Sequence, residues 1–170
     1  MPDLRPLEPG DLPALTAIQN AVFEPLFRES QEILASRLTV AAPCCWGAFE
    51  GGELLAYILS HPWPAGSPPA IGTVLSAPGP CDNWFVHDLA IGLAARGLGL
   101  GRQLVRAAAH AAMAQGLTRG DLIAVQGAWS FWAKMGYAAP PVLSQALRAK
   151  VAGYGEDARY MTAELSKLTA

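Results

Sequence analysis

Charged residues are scarce in this 170-residue chain, at 15%, and they favour neither sign: 12 basic against 14 acidic residues give a formal net charge of −2. Without a basic excess there is no field to hold a nucleic-acid backbone, so no nucleic-acid partner is expected. Long apolar runs are missing too. No stretch reaches the roughly 18 residues that a membrane-spanning helix needs, and no membrane association is expected. Met1-Pro2-Asp3-Leu4-Arg5-Pro6 lacks the pattern of a signal peptide, so the expected location is the cytoplasm. Cysteine is limited to Cys44, Cys45 and Cys81, an odd number without metal-ligand spacing. That excludes a disulfide framework, predicts reduced thiols and implies no metal site. Cys81, close to the strand that carries the site below, is the one thiol placed for reactivity.

What the chain does have is apolar bulk. At 52% hydrophobic residues it can bury a sizeable core, and its length suits one domain over residues 1–170. Leu4 to Leu7 reads as a first strand. Asp11 is a plausible N-cap for a helix from Leu12 to about Phe23, and Ser30 for a second helix through Leu38. Two strand-like runs, Trp46 to Phe49 and Leu54 to Ser60, flank Gly51-Gly52, a hairpin signal. The Pro- and Gly-rich stretch from His61 to Asp82 has no periodicity. Loops of that length are usually functional or disordered, so it reads either as an acceptor-side lid or as a variable surface loop. Trp84 to Ile91 is apolar in both registers, which suits a strand covered on both faces. Further elements are a helix from Gly99 to Gln115, a strand from Leu122 to Val125, a short helix from Trp129 to Met135 and a last strand from Ala158 to Leu165. Order alone, strands and helices mixed around one sheet, supports only an α/β or α+β fold.

The run Arg96-Gly97-Leu98-Gly99-Leu100-Gly101-Arg102 lies between a strand and a helix. Glycines at alternate positions let main-chain N–H groups approach a ligand closely. The helix that follows aims the positive end of its dipole at the same place, and the flanking arginines can neutralise phosphate. The stretch reads as a pyrophosphate seat. It lacks the lysine and spacing of a P-loop, and its third glycine is misplaced for a dinucleotide fingerprint, which weakens an ATP or NAD reading.

R-x-x-G-x-G at this point resembles the acyl-CoA loop of the GNAT N-acetyltransferase superfamily. Ser130-Phe131-Trp132-Ala133-Lys134-Met135-Gly136-Tyr137 resembles the later motif of that family, and Tyr154 to Met161 resembles the closing segment of a bacterial subgroup. The resemblance covers Trp46 to Met161. It implies a GNAT fold: six or seven mostly antiparallel strands, a splayed parallel pair and about four helices. It also implies acetyl-CoA as donor. The amides around Gly97, Leu98, Gly99, Leu100, Gly101 and Arg102, with Arg96, would take the pyrophosphate. The backbone of Leu89, Ala90 and Ile91 would pair with pantetheine. Gln126, Ser130, Trp132 and Lys134 would lie near the cofactor, though Ser130 and Lys134 also suit a plain surface.

For catalysis the candidates are His87 and Asp88, just before the pantetheine segment, and Tyr154. Alternation along a strand turns neighbours to opposite faces, so only one of His87 and Asp88 is expected to face the acceptor. Imidazole is the better base near neutral pH. Each also has a plain structural reading, as a hydrogen-bonded core residue. Trp132 stands where many relatives carry a tyrosine acid, and an indole N–H cannot replace it; Tyr137 and Tyr154 are the substitutes at hand. The resemblance thus implies an N-acetyltransferase acting on a primary amine of a small molecule or peptide, with a homodimer frequent among relatives. The alternative is a CoA-binding regulatory or sensor module without catalysis.

Overall fold

The computed structural model describes residues 1–170, apart from the side chain of Ala42. Six strands form one sheet in chain order: β1 (Asp3–Pro6), β2 (Trp46–Glu50), β3 (Glu53–Pro62), β4 (Asn83–Ile91), β5 (Arg119–Ala124) and β6 (Arg159–Glu164). Every neighbouring pair is antiparallel except β4 and β5, which run parallel. The helices are α1 (Leu12–Val22), α2 (Gln31–Ala41), α3 (Leu100–Ala114), α4 (Trp129–Met135), α5 (Gln145–Ala152) and α6 (Leu165–Leu168). None is long and apolar enough to cross a membrane.

The sheet separates two cores. On one face α3 packs Leu100, Leu104, Val105, Ala108 and Ala112 against Ile58, Trp84 and Val86. The small alanines let the helix lie close on the strands, where larger residues would hold it off. On the other face α1 and α2 bring Leu15, Leu34 and Leu38 onto Tyr57, Leu59 and Ala90. β4 is therefore covered on both sides, as its continuous apolar sequence demands.

Two expectations of local structure need correction. Asp11 does not cap α1 with its side chain; its carboxylate takes a bidentate pair from Arg5 at 2.9 Å and the amide of Glu8 at 2.8 Å. The irregular stretch begins later than His61, because β3 continues through Pro62, paired with Trp84. Helices α5 and α6 exceed the four that the resemblance implies. Ser144 marks the start of α5 by accepting the Leu147 amide at 3.1 Å, a local cap signal that the sequence reading passed over.

Candidate active site

The parallel ladder between β4 and β5 stops at Val86 and Leu122, although both strands continue. Beyond that point the strands diverge. β5 keeps its pairing with β6 through Ala124, and β4 keeps its pairing with β3 through Ile91. The gap holds a cavity of about 230 Å³ walled by Val86, Leu89, Ile91, Ala124, Phe131 and Trp132. It opens into a second cavity of about 510 Å³, bounded by Arg96, Gly97, Gly99, Arg102, Gln126 and Lys134. Phe23, Leu89, Ile91, Val125 and Phe131 line both, so the two form one cleft.

Its outer end is made of main chain. Gly97 and Gly99 have φ of 85° and 73°, the left-handed region that side-chain-bearing residues avoid. Gly99 precedes the first turn of α3, and among the described residues the amides of residues 98–102 have no main-chain acceptor. Free amides at a helix start, beside Arg96, Arg102 and Lys134, suit a diphosphate. Gly101 has another role. It is helical, and a Cβ there would come within 3.3 Å of the Phe131 ring, so its smallness lets α3 and α4 meet beside the slot.

The inner end is made of side chains, and it rests on an irregularity in β4. Leu59 pairs with Asp88 but Ser60 pairs with Val86, leaving His87 as the extra residue of a β-bulge. The pleat changes phase there. Trp84 and Val86 face the α3 core, and after the bulge Leu89 and Ile91 face it. His87 and Asp88 consequently share the opposite face, and both line the slot and the cavity beyond it. The alternation expected from sequence, with only one of the two facing the acceptor side, does not hold.

His87 is fixed by groups from distant segments. Its Nε2 lies 2.5 Å from Glu29 Oε1, and the Arg37 guanidinium reaches the same nitrogen at 3.3 Å and Glu29 Oε2 at 3.5 Å. Arg37 is fully buried and also donates to the Thr73 carbonyl at 3.0 Å. Glu29 is anchored through its backbone by Gln19, which accepts its N–H and donates to its C=O, each at 3.0 Å. Burial pushes the Glu29 carboxyl up, but the His87 hydrogen bond, the Gly72 amide and the charges of His87 and Arg37 outweigh it and hold it below its ordinary range. An ionised Glu29 accepts the hydrogen bond of Nε2–H, so Nδ1 is the ring nitrogen through which a proton is gained or lost. Nδ1 has no partner among the described residues. Asp88 differs. Burial raises its carboxyl to about 6, against a partly opposing charge on His87 and a hydrogen bond donated by Tyr57 at 3.0 Å.

The stretch between β3 and β4 closes this end. The Gly72 amide donates to Glu29 Oε2 at 2.8 Å, the Leu75 amide to Ser36 Oγ at 3.0 Å, and the Gly66 amide to Asp121 at 3.0 Å. From the other side Lys150 Nζ and Tyr154 Oη donate to the carbonyls of Pro68 and Pro69. Tyr154 reaches the inner cavity wall, but its hydroxyl proton is given to Pro69 at 2.6 Å, and burial raises its pKa. Tyr137 lies in the core against Gly120 and lines neither part of the cleft.

The remaining residues expected at the site divide clearly. Leu89, Ile91, Arg96, Gly97, Gly99, Leu100, Gly101, Arg102, Gln126, Trp132 and Lys134 line the cleft. Ala90 turns its side chain into the other core, leaving its backbone in the strand that borders the slot. Leu98 is exposed at the loop tip, and Ser130 is exposed on α4 and lines neither cavity. Gln126, at φ 52°, accepts the Glu24 amide at 3.1 Å and ties the end of β5 to the segment after α1. Cys44 and Cys45 are buried, which raises their thiols to about 11 and about 12; Cys81 is half-buried and lies outside the cleft. Sequence reasoning missed Glu29 and Arg37, which carry no local motif.

Known structures share this architecture. Ard1 from Thermoplasma volcanium superposes with a TM-score of 0.70 at 14% identity, over 96% of this chain and 97% of that one. The PaiA N-acetyltransferase from Thermoplasma acidophilum, solved in complex with coenzyme A, gives 0.66 at 13% identity, over 96% and 99%. A GNAT family acetyltransferase from Brucella melitensis, in complex with acetyl-CoA, gives 0.59 at 20% identity, over 82% and 84%. No curated protein sequence matches the chain. The family model described as acetyltransferase (GNAT) family matches residues 12–137, from the start of α1 through the slot and past α4. With the divergent β4–β5 pair and the glycine-spaced helix start inside that span, the chain belongs to the acetyltransferase (GNAT) family, a family of acyltransferases.

Proposed function

We propose that the protein is an N-acetyltransferase that moves an acetyl group from acetyl-CoA to a primary amine of a small molecule or peptide, working as one catalytic domain. The observation that carries this reading is the continuity of the cleft. It runs from the amide-lined loop, through the β4–β5 gap, to His87 and Asp88. A chain that only held a nucleotide would have no use for titratable groups at the far end of an apolar slot. The acetyl-CoA complex of the Brucella melitensis structure supports the same donor here.

The chain's own residues supply three functions. Amides at the start of α3, with Arg96, Arg102 and Lys134, hold the diphosphate. The β4 edge past Val86 offers main-chain groups to the pantetheine arm, and an N–H of that edge polarises the thioester carbonyl. His87 Nδ1 takes the proton of the attacking amine as the C–N bond forms. The C–S bond then breaks and the thiolate leaves, taking its proton from solvent or from the imidazolium. No tyrosine hydroxyl is needed: Tyr154 is committed to Pro69, Tyr137 is in the core, and a thiolate is already a fair leaving group.

The test is thiol release from acetyl-CoA in the presence of primary amines, followed with the acetylated product by mass spectrometry. Amine-dependent release with one acetyl group gained per thiol is the expected result. Binding of coenzyme A with no release on any amine would overturn the reading in favour of a CoA-binding regulatory module.

A further inference from the structure

We infer that the acceptor is a small primary monoamine with an uncharged, apolar body. This rests on the acetyltransferase reading above and concerns the far side of the same cleft. Beyond His87 and Asp88 the cleft narrows to a cavity of about 30 Å³, walled by Phe23, Phe27, Ile71, Ile123 and Val125. The first atoms of the acceptor's body beyond the reacting nitrogen therefore meet phenylalanine and aliphatic side chains at close quarters.

Every other polar group at its rim is already engaged. Glu29 gives one oxygen to His87 and the other to Gly72 and Arg37. Arg37 lies behind Glu29, fully buried and outside the cavity wall; its terminal nitrogens go to Glu29 and the Thr73 carbonyl, and its unpartnered Nε is closed off from solvent, so a substrate carboxylate does not reach it. Tyr154 donates its proton to Pro69. Asp88 has only Oδ2 in use, by Tyr57. The atoms left for a ligand are His87 Nδ1 and Asp88 Oδ1, which together make one seat for one amine. A substrate carboxylate would find no cation in the wall, and a second ammonium would find only Glu29, whose two oxygens already serve His87, Gly72 and Arg37. Either would be desolvated against phenylalanine and aliphatic side chains without compensation.

Matched pairs test this. With acetyl-CoA saturating, kcat/KM is measured for pentylamine against diaminopentane, for isoamylamine against leucine, and for an alanine tripeptide. The two monoamines should each exceed their charged partner by about tenfold or more, and should exceed the peptide. Phe27→Glu adds an anion to the wall and should move the pentylamine-to-diaminopentane ratio about tenfold toward the diamine. Equal or better use of diaminopentane, leucine or the peptide would overturn the inference while leaving the acetyltransferase reading in place. Acetylation of none of the five would overturn both. An unchanged ratio in Phe27→Glu would show that this cavity does not receive the acceptor's body.

Discussion

The two ends of the cleft are built on opposite principles. At the outer end the groups proposed to bind are main-chain amides, presented by Gly97, Gly99 and the start of α3, and all of them come from one short run of sequence. At the inner end the groups are side chains from β4, the segment before α2 and α2 itself, held by burial and by main-chain groups of the stretch after β3. The first design is tolerant in side chain and strict in backbone. The second is strict in both. A loop that recognises diphosphate needs little more than free N–H groups and room, whereas a base needs an orientation, a tautomer and an environment.

The largest effect should come from the inner end. His87→Ala is expected to lower kcat by about 100-fold or more while leaving the dissociation constant of coenzyme A unchanged. Glu29→Gln, which removes the charge that orients the imidazole, should lower kcat by about tenfold, again with unchanged cofactor affinity in calorimetry. Loss of affinity in either variant would erase the division between the two ends. A smaller and complementary effect is expected outside. Gly99→Val forces a β-branched residue into a left-handed backbone and should weaken coenzyme A binding by about tenfold, with the fold retained by circular dichroism. An unchanged affinity would contradict the seat assigned to that loop.

The smallest effect concerns stability. Asp88 has its carboxyl raised from 3.8 to about 6 in the folded chain, chiefly by burial. Below the lower value both folded and unfolded chains carry the proton, and the residue is neutral toward folding. Between the two values the unfolded chain has released its proton and the folded chain has not, so stability falls as pH rises; above about 6 the loss is constant. Asp88→Asn should therefore melt higher than the parent at pH 7, by about 2–4 °C per kcal/mol recovered, and the gap should vanish near pH 3.5. A gap that persisted in acid would place its cause outside the titration.

Legibility in the sequence follows the same division. The glycine-spaced turn before α3 could be read directly, because Gly97 and Gly99 between strand and helix are a local pattern, whereas the role of Gly101 depends on Phe131 of α4 and was not legible. The hairpin at Gly51-Gly52 and the limits of α4 were readable for the same reason. Glu29 was not. It stands 58 residues from His87 in a polar stretch that looks like any helix approach, and Arg37, 50 residues away, sits among α2 residues with no special spacing. Their partnership exists only once α1, α2 and the irregular stretch have closed over β4. The relation between His87 and Asp88 was hidden by a different cause. Strict alternation is a sound rule for a regular strand, and one unpaired residue is enough to suspend it.

That single unpaired residue ties chemistry to architecture in a way point substitution would not reveal. Removing His87 from the chain, instead of replacing it, would let β4 pleat evenly, with Trp84, Val86, Leu89 and Ile91 all still beneath α3. The slot would keep its apolar wall and lose only the imidazole. Ironing out the bulge while keeping His87 would do the reverse: Leu89 and Ile91 would turn away from α3 and Ala90 would take their place. The bulge therefore lets the strand present two neighbouring polar side chains on one face without putting its two halves out of phase with either core.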